Sequence, residues 1–138
     1  MKVNIVFPVL DEERRLEKGI HTTEAFLAKR RDIDAVITIV DNGSTDRTPD
    51  IIKELADVYS NIEYITLSER GFGLAFREAA KRNRCDIIGY VDVDLSTDIH
   101  YLSKVMKAFE KYDDISVIKG NRLSGKSKVN GRKPLRNI

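Results

Sequence analysis

At 138 residues the chain is long enough for one domain with a true core, and its composition is that of an ordinary globular protein with a rather high charged content of 33%. No apolar run has the length of a membrane span, and the single cysteine, Cys85, excludes an internal disulfide and a cysteine metal cluster. The net charge of +2 is unevenly spread: Lys119, Arg122, Lys126, Lys128, Arg132, Lys133 and Arg136 close the chain with no acid among them, so the part before them is net acidic. The amino end reads as a strand and not as a signal peptide, and cytoplasmic residence is expected.

Val3 to Phe7 is predicted as a first strand, stopped by Pro8. Glu12 to Arg30 has helical spacing, with Leu16, Ile20, Thr23, Phe26 and Leu27 on one face. Ala35 to Val40 is almost wholly apolar, as buried parallel strands are. Asp41 to Asp46 forms a turn, and Thr48-Pro49 opens a helix with proline at its first position. That helix should bury Ile51, Ile52, Leu55 and Val58. A third strand, Ile62 to Leu67, leads through Arg70-Gly71-Phe72-Gly73 into a helix from Leu74 to Asn83. Ile87 to Val91 is a fourth strand. Ile99 to Tyr112 is a helix with Leu102, Val105, Met106 and Phe109 inward, capped by Thr97 or Asp98. Ile115 to Ile118 is a fifth strand. This alternation implies an α/β fold: an open, mainly parallel sheet with helices on both faces. His21 and His100 fall in helical patterns and Cys85 reads as packing. Residues 120 to 138 read as a basic mobile loop or tail.

The stretch from Gly89 to Asp98 carries the chemistry. Side chains at i and i+2 leave a strand on one side, so Asp92 and Asp94 should converge, Val93 should face away, and Ser96 continues the row if the chain stays extended. Two carboxylates and a hydroxyl are hard oxygen donors suited to Mg²⁺ or Mn²⁺, whose shells are completed by water and substrate phosphates. The competing reading is a pair of acids capping the next helix. Asp41 also has two readings, as a cap of its own turn or as a contact to a nucleobase or ribose. Ser44, Thr45 and Asp46 can supply the turn's internal bonds, so ligand contact is the expected role. A dinucleotide fold would need a glycine-rich turn after the first strand, and that turn is Pro8-Val9-Leu10-Asp11-Glu12-Glu13, with three acids and no glycine. A phosphate-binding loop of the G-K-[ST] type is absent. A sugar nucleotidyltransferase would want a glycine-rich, basic first loop, which is also missing.

The order Pro8-x-x-Asp11-Glu12-Glu13, then Ile39-Val40-Asp41-Asn42-Gly43-Ser44-Thr45-Asp46-Arg47-Thr48, then Gly71-x-Gly73, then Asp92-Val93-Asp94-Leu95-Ser96 resembles the inverting family 2 glycosyltransferases of GT-A fold. Within them it is most similar to the branch that loads sugars onto polyprenyl phosphates, the dolichol-phosphate mannosyl- and glucosyltransferases. The resemblance implies that Pro8, Glu12 and Asp41 hold the nucleoside of a nucleoside-diphosphate sugar of the GDP-mannose or UDP-glucose type. It implies that Asp92 and Asp94 stand at the metal and the diphosphate, with Ser96 as a third metal-side group. Arg122 resembles an arginine that approaches the donor phosphates, and Arg136 resembles a second. Leu10 stands where relatives usually have an aromatic, Asp11 where they have Asn, and Asn42 where they have a second Asp. Family catalytic domains usually continue into an acceptor-side part, so this chain is expected to lack that part.

The implied reaction is displacement at the anomeric carbon with Asp94 and Arg122 at the catalytic centre. A lipid phosphate is the expected acceptor, with peripheral contact at the cytoplasmic membrane surface. A polysaccharide or other hydroxyl acceptor, and a non-catalytic nucleotide-sugar-binding module, are the alternatives. The basic tail fits donor pyrophosphate, by a loop closing over it, or an anionic membrane. Without interleaved aromatics, it is not expected to bind nucleic acid.

Overall fold

A computed structural model describes residues 1–121, 124 and 126. The elements are β1 (Lys2–Val9), α1 (Leu16–Ala28), β2 (Asp34–Asp41), α2 (Thr48–Val58), β3 (Ile62–Thr66), α3 (Phe72–Arg82), β4 (Ile87–Tyr90), a short 3₁₀ turn (Ile99–Tyr101) and α4 (Leu102–Lys111). The strands form one parallel sheet in the order β3-β2-β1-β4. The chain steps outward from β1 through β2 to β3, then crosses back to place β4 on the other side of β1. Right-handed crossovers in opposite directions put α1 and α2 on one face and α3 on the other.

The packing follows that rule. Val6, Val40 and Ile65 form one core with Ala75 and Ala79 of α3, flanked by Leu67, Phe76 and Ile88. Side chains alternate along a strand, so Ile5, Phe7, Ile37 and Ile39 point to the opposite face, where all are at most 2% exposed. On that face α1 buries Leu16, Ile20, Thr23 and Phe26, as its periodicity requires, and also Gly19. Within the α3 face, Thr38 donates a buried hydrogen bond to the Asn4 side-chain oxygen at 2.8 Å.

Several boundaries differ from the sequence reading for identifiable reasons. Pro8 does not stop β1, which runs on to Val9. In a parallel ladder both polar groups of a residue face the same neighbour, alternately along the strand. The Val6 carbonyl accepts from Val91 and the Val9 carbonyl from Asn42, so Pro8 faces the β4 side just past the last β4 bond, where no N–H is required. Helix α1 begins at Leu16, not Glu12, because the preceding residues bond to the loop after β2. Val58, expected inward on α2, is 68% exposed. The acceptor at the head of the last helical stretch is Asp98, whose side chain receives the His100 N–H at 2.9 Å.

The chain divides into two compact units, Met1–Lys104 and Val105–Ile138. The first holds the sheet and α1 to α3. The first also holds Leu102, expected inward and half-buried; in the second, the remainder of α4 buries Met106, while Val105 and Phe109, also expected inward, are half-buried. The expected fifth strand at Ile115 to Ile118 is not formed: those residues have no strand, and Val117 is 82% exposed. A strand exists through its ladder, and this short apolar run has no ladder partner among the described residues. No helix of the described residues is long and apolar enough to cross a membrane.

Candidate functional site

All four strands are parallel, so their carboxyl ends lie on one edge of the sheet. The strand order reverses between β1 and β4, and that switch point is where open α/β sheets leave a crevice for a ligand. The loop after β1, the turn after β2 and the turn after β4 all emerge there. Pro8 and Asp41 stand in the last residues of β1 and β2 at this edge, the loop after β1 carries Glu12, and the turn after β4 carries Asp92, Asp94 and Ser96.

The first two loops are stitched to each other. Pro8 is paired in register with Val40, and Val9 with Asp41. The Asp11 N–H donates to the Ser44 hydroxyl at 3.0 Å, and Asp11 Oδ1 accepts from the Thr45 N–H at 2.7 Å. The Glu12 N–H donates to the Thr48 hydroxyl at 2.8 Å, the Glu13 N–H to Asp46 at 3.2 Å, and the Arg47 N–H to the Glu13 carboxylate at 3.0 Å. Two of the three acids after β1 therefore serve as acceptors for backbone groups of the neighbouring turn. The sequence reading had missed this role. Its signal was there in the juxtaposition of an acid-rich loop and a Gly-Ser-Thr turn, both rich in groups that bond locally to backbone. Burial raises the pKa of Asp46, but hydrogen bonds from Thr48 and from the Glu13 backbone outweigh it and hold the carboxyl below its ordinary range.

Asp41 is 2% exposed, and its Oδ1 accepts from the Ser44 N–H at 3.0 Å. It thus closes its own turn while standing at the crevice edge. Glu12 is half-buried and makes a two-pronged ion pair with Arg15, at 2.7 and 3.0 Å. Asn42 spans to the third loop: its side-chain oxygen accepts from the Gly71 N–H at 2.8 Å, and Gly43, at φ +82°, takes the turn past Arg70.

The acidic turn after β4 differs from the extended row expected of it. The strand ends at Tyr90, and the chain then turns, with the Leu95 N–H on the Asp92 carbonyl at 2.9 Å and Leu95 at φ +51°. Val93 does face away and is buried, at 4% exposure. Asp92 is half-buried and Asp94 is exposed. Ser96 does not continue a strand row; it is exposed, and its N–H donates to Asp94 Oδ1 at 2.9 Å. Among the described residues no three histidine, cysteine, aspartate or glutamate side chains form a metal cage. The donor set on offer is the carboxylates of Asp92 and Asp94, two residues apart in one turn, with the hydroxyl-bearing Ser96 two residues further on. Hard oxygen donors in that small number fit a Mg²⁺ or Mn²⁺ that takes the rest of its shell from water and phosphate.

The remaining candidates fall away from this edge or outside it. His21 is exposed, with Nδ1 2.6 Å from the Tyr59 hydroxyl; His100 is exposed, with Nδ1 2.7 Å from Asp98. Cys85 is half-buried, and burial pushes its thiol pKa up, as for an inert packing group. Arg122 and Arg136, and with them most of the basic tail, lie outside the described residues. The tail was expected to spring from a fifth strand beside the diphosphate side, and no such strand is formed.

The architecture matches solved glycosyltransferase structures. A mannosyltransferase of Pyrobaculum calidifontis in complex with GDP-Man and Mn²⁺ superposes with a TM-score of 0.66 at 22% identity, over 77% of this chain and 31% of that one. TarS of S. aureus in complex with UDP-GlcNAc gives a TM-score of 0.63 at 20% identity, over 82% of this chain and 32% of that one. In sequence, a dolichyl-phosphate beta-glucosyltransferase of Trichomonas vaginalis is 31% identical over 137 residues, which is 92% of this chain and 42% of that protein. The chain thus spans less than half the length of that relative. The model of glycosyl transferase family 2 matches residues 4–137. The sheet is that of the GT-A fold, and the chain belongs to glycosyl transferase family 2.

Proposed function

We propose that the chain binds a nucleoside-diphosphate sugar at the β1/β4 switch point and takes part in transferring the sugar to a polyprenyl phosphate. The observation that carries this reading is the meeting of two different kinds of site on one edge: a braced turn pair holding Asp41 and Glu12 on one side of β1, and the Asp92–Asp94 turn on the other. A nucleoside diphosphate has the same two-part character, an uncharged hydrogen-bonding base and ribose joined to a charged diphosphate.

Pro8, Glu12 and Asp41 form the nucleoside side in this reading. Asp92 and Asp94, with Ser96 beside them, would hold Mg²⁺ or Mn²⁺. When bound, the cation supplies Lewis-acid neutralisation of the charge that grows on the leaving diphosphate. Arg122 and Arg136 are assigned to the donor phosphates, which suits the paired donors of a guanidinium. In the transfer, an acceptor oxygen attacks the anomeric carbon as its bond to the diphosphate oxygen breaks, inverting the centre. A phosphate acceptor is already anionic near neutrality, since a phosphate monoester has a second pKa of about 6, so it needs no general base from the chain. The Trichomonas relative, named for a dolichyl-phosphate acceptor, supports this choice of acceptor. Such an acceptor would bring the chain to the cytoplasmic membrane surface.

A thermal-shift series over guanosine and uridine diphosphate sugars, with Mn²⁺ and with chelator, tests the donor half. One base class should raise the midpoint only when metal is present, because binding to the folded state stabilises by mass action. Equal midpoints with every donor would overturn the reading. Given the donor, sugar transfer to dolichyl phosphate but not to a free hydroxyl acceptor is expected; the reverse preference would reassign the acceptor.

A further inference from the structure

We propose that Gly19, the fourth residue of α1, positions the Asp92–Asp94 turn; this rests on the reading of that turn as the metal and diphosphate side. Glycine inside a helix lowers helix stability relative to alanine, so a glycine within α1 calls for a compensating contact. Here the contact is explicit. A Cβ built on Gly19 would lie 2.2 Å from the Val93 carbonyl oxygen and 2.9 Å from Val93 Cγ2. The peptide between the two acids therefore rests directly on the helix backbone, at a separation that any side chain would forbid.

The geometry also says which partner would yield. Gly19 sits in regular helix, donating to the Arg15 carbonyl at 2.9 Å and accepting the Thr23 hydroxyl at 3.0 Å. Helix α1 is anchored by buried Leu16, Ile20 and Phe26 and by the Asn61 amide on Glu24 at 2.9 Å. The acidic turn follows a strand of four residues that is at the sheet edge among the described residues, with its last ladder bond from the Val91 N–H, and it includes Leu95 at positive φ. The turn is the softer of the two, so a methyl group at position 19 should displace Asp92 to Asp94 and leave α1 in place. Arg15, one turn before Gly19, holds Glu12. The helix thereby sets the spacing between the nucleoside side and the diphosphate side of the crevice.

The test uses Gly19→Ala in the full chain, with backbone amide resonances and calorimetric affinities as readouts. Resonances of Asp92 to Ser96 should shift more than those of Glu12 or Asp41. The Mn²⁺-dependent affinity for GDP or UDP should fall about tenfold or more, as for residues that orient metal ligands, while metal-free affinity for the corresponding monophosphate stays within about twofold. A merely structural role would lower the melting temperature and weaken both affinities together, and that result overturns the proposal, as do unmoved resonances at Asp92 to Ser96. The two arms separate the failures. Shifted resonances in a protein whose wild type shows no Mn²⁺-dependent affinity would sink the metal reading, and with it the functional half of the proposal. A metal response with unmoved resonances would sink the contact alone. If Gly19→Ala does not fold, Val93→Ala removes the Val93 Cγ2 part of the same contact and leaves the carbonyl part. It should produce the same separation of affinities, and unmoved resonances at Asp92 to Ser96 in that variant would likewise overturn the proposal.

Discussion

Asp11 occupies the left-handed backbone region at φ +52°, where a side chain other than Gly, Asn or Asp is costly. Its carboxylate repays that position by accepting from the Thr45 N–H. Asp11→Asn keeps both the backbone tolerance and the acceptor oxygen, so its unfolding free energy should match wild type within about 0.5 kcal/mol. Asp11→Ala loses the acceptor and is expected to cost about 1–2 kcal/mol in a denaturant titration. Equal stability of the two variants would show that the stitching between the loops is not energetically significant. The resemblance marks this as a position where relatives usually have Asn, and the hydrogen bonds give Asp11 a task that either residue can perform. Asn42 is a parallel case: its acceptor oxygen on Gly71 is a function that an aspartate would also serve.

At the scale of elements, α1 is the piece against which the site is built, and its anchorage has a pH signature. Burial raises the Glu24 carboxyl pKa above its ordinary value, more than the Asn61 hydrogen bond lowers it. A carboxyl raised on folding binds its proton more tightly in the native state. Stability is therefore greatest below the unfolded value, 4.5, and falls as pH rises through the folded value. Glu24→Gln keeps an acceptor for Asn61 and removes the charge. It should raise stability at neutral pH by less than about 1 kcal/mol, given the partial exposure, and the gain should vanish below pH 4.5. A gain that persisted in acid would assign the effect to something other than the charge. Helices and strands of this core were legible because their patterns are those of elements with partners: near-continuous apolar runs for β1 and β2, a 3.6-residue stripe for α1. The failures share a cause. Ile115 to Ile118 has the composition of a strand, but no sequence pattern supplies the neighbour that makes one. Glu12 and Glu13 have good helix propensity, but their backbone N–H groups and the Glu13 carboxylate are engaged by the turn after β2 and the first residue of α2. The Gly19 contact with Val93 spans 74 positions in sequence, and only the break in the apolar stripe hinted at it.

At the scale of the whole molecule, the account depends on a topological fact: the reversal of strand order at β1 brings loops from opposite halves of the chain to one edge. That placement could be inferred from the βα alternation, because parallel strands and right-handed crossovers leave few arrangements. The turn geometry at Asp92 to Ser96 could not, because an extended row and a tight turn put the same residues in the same order. The central claim is that this edge binds a nucleoside diphosphate through a divalent cation held by the Asp92–Asp94 pair. The most direct measurement is calorimetric titration of wild type and Asp94→Asn with GDP and with UDP, in Mn²⁺ and in chelator. Wild type should bind one of the two with Mn²⁺-dependent affinity. Asp94→Asn should lose at least about tenfold of that affinity, ~1.4 kcal/mol, at an unchanged melting temperature. Equal Mn²⁺-dependent affinity in both proteins, or none in wild type, would contradict the account.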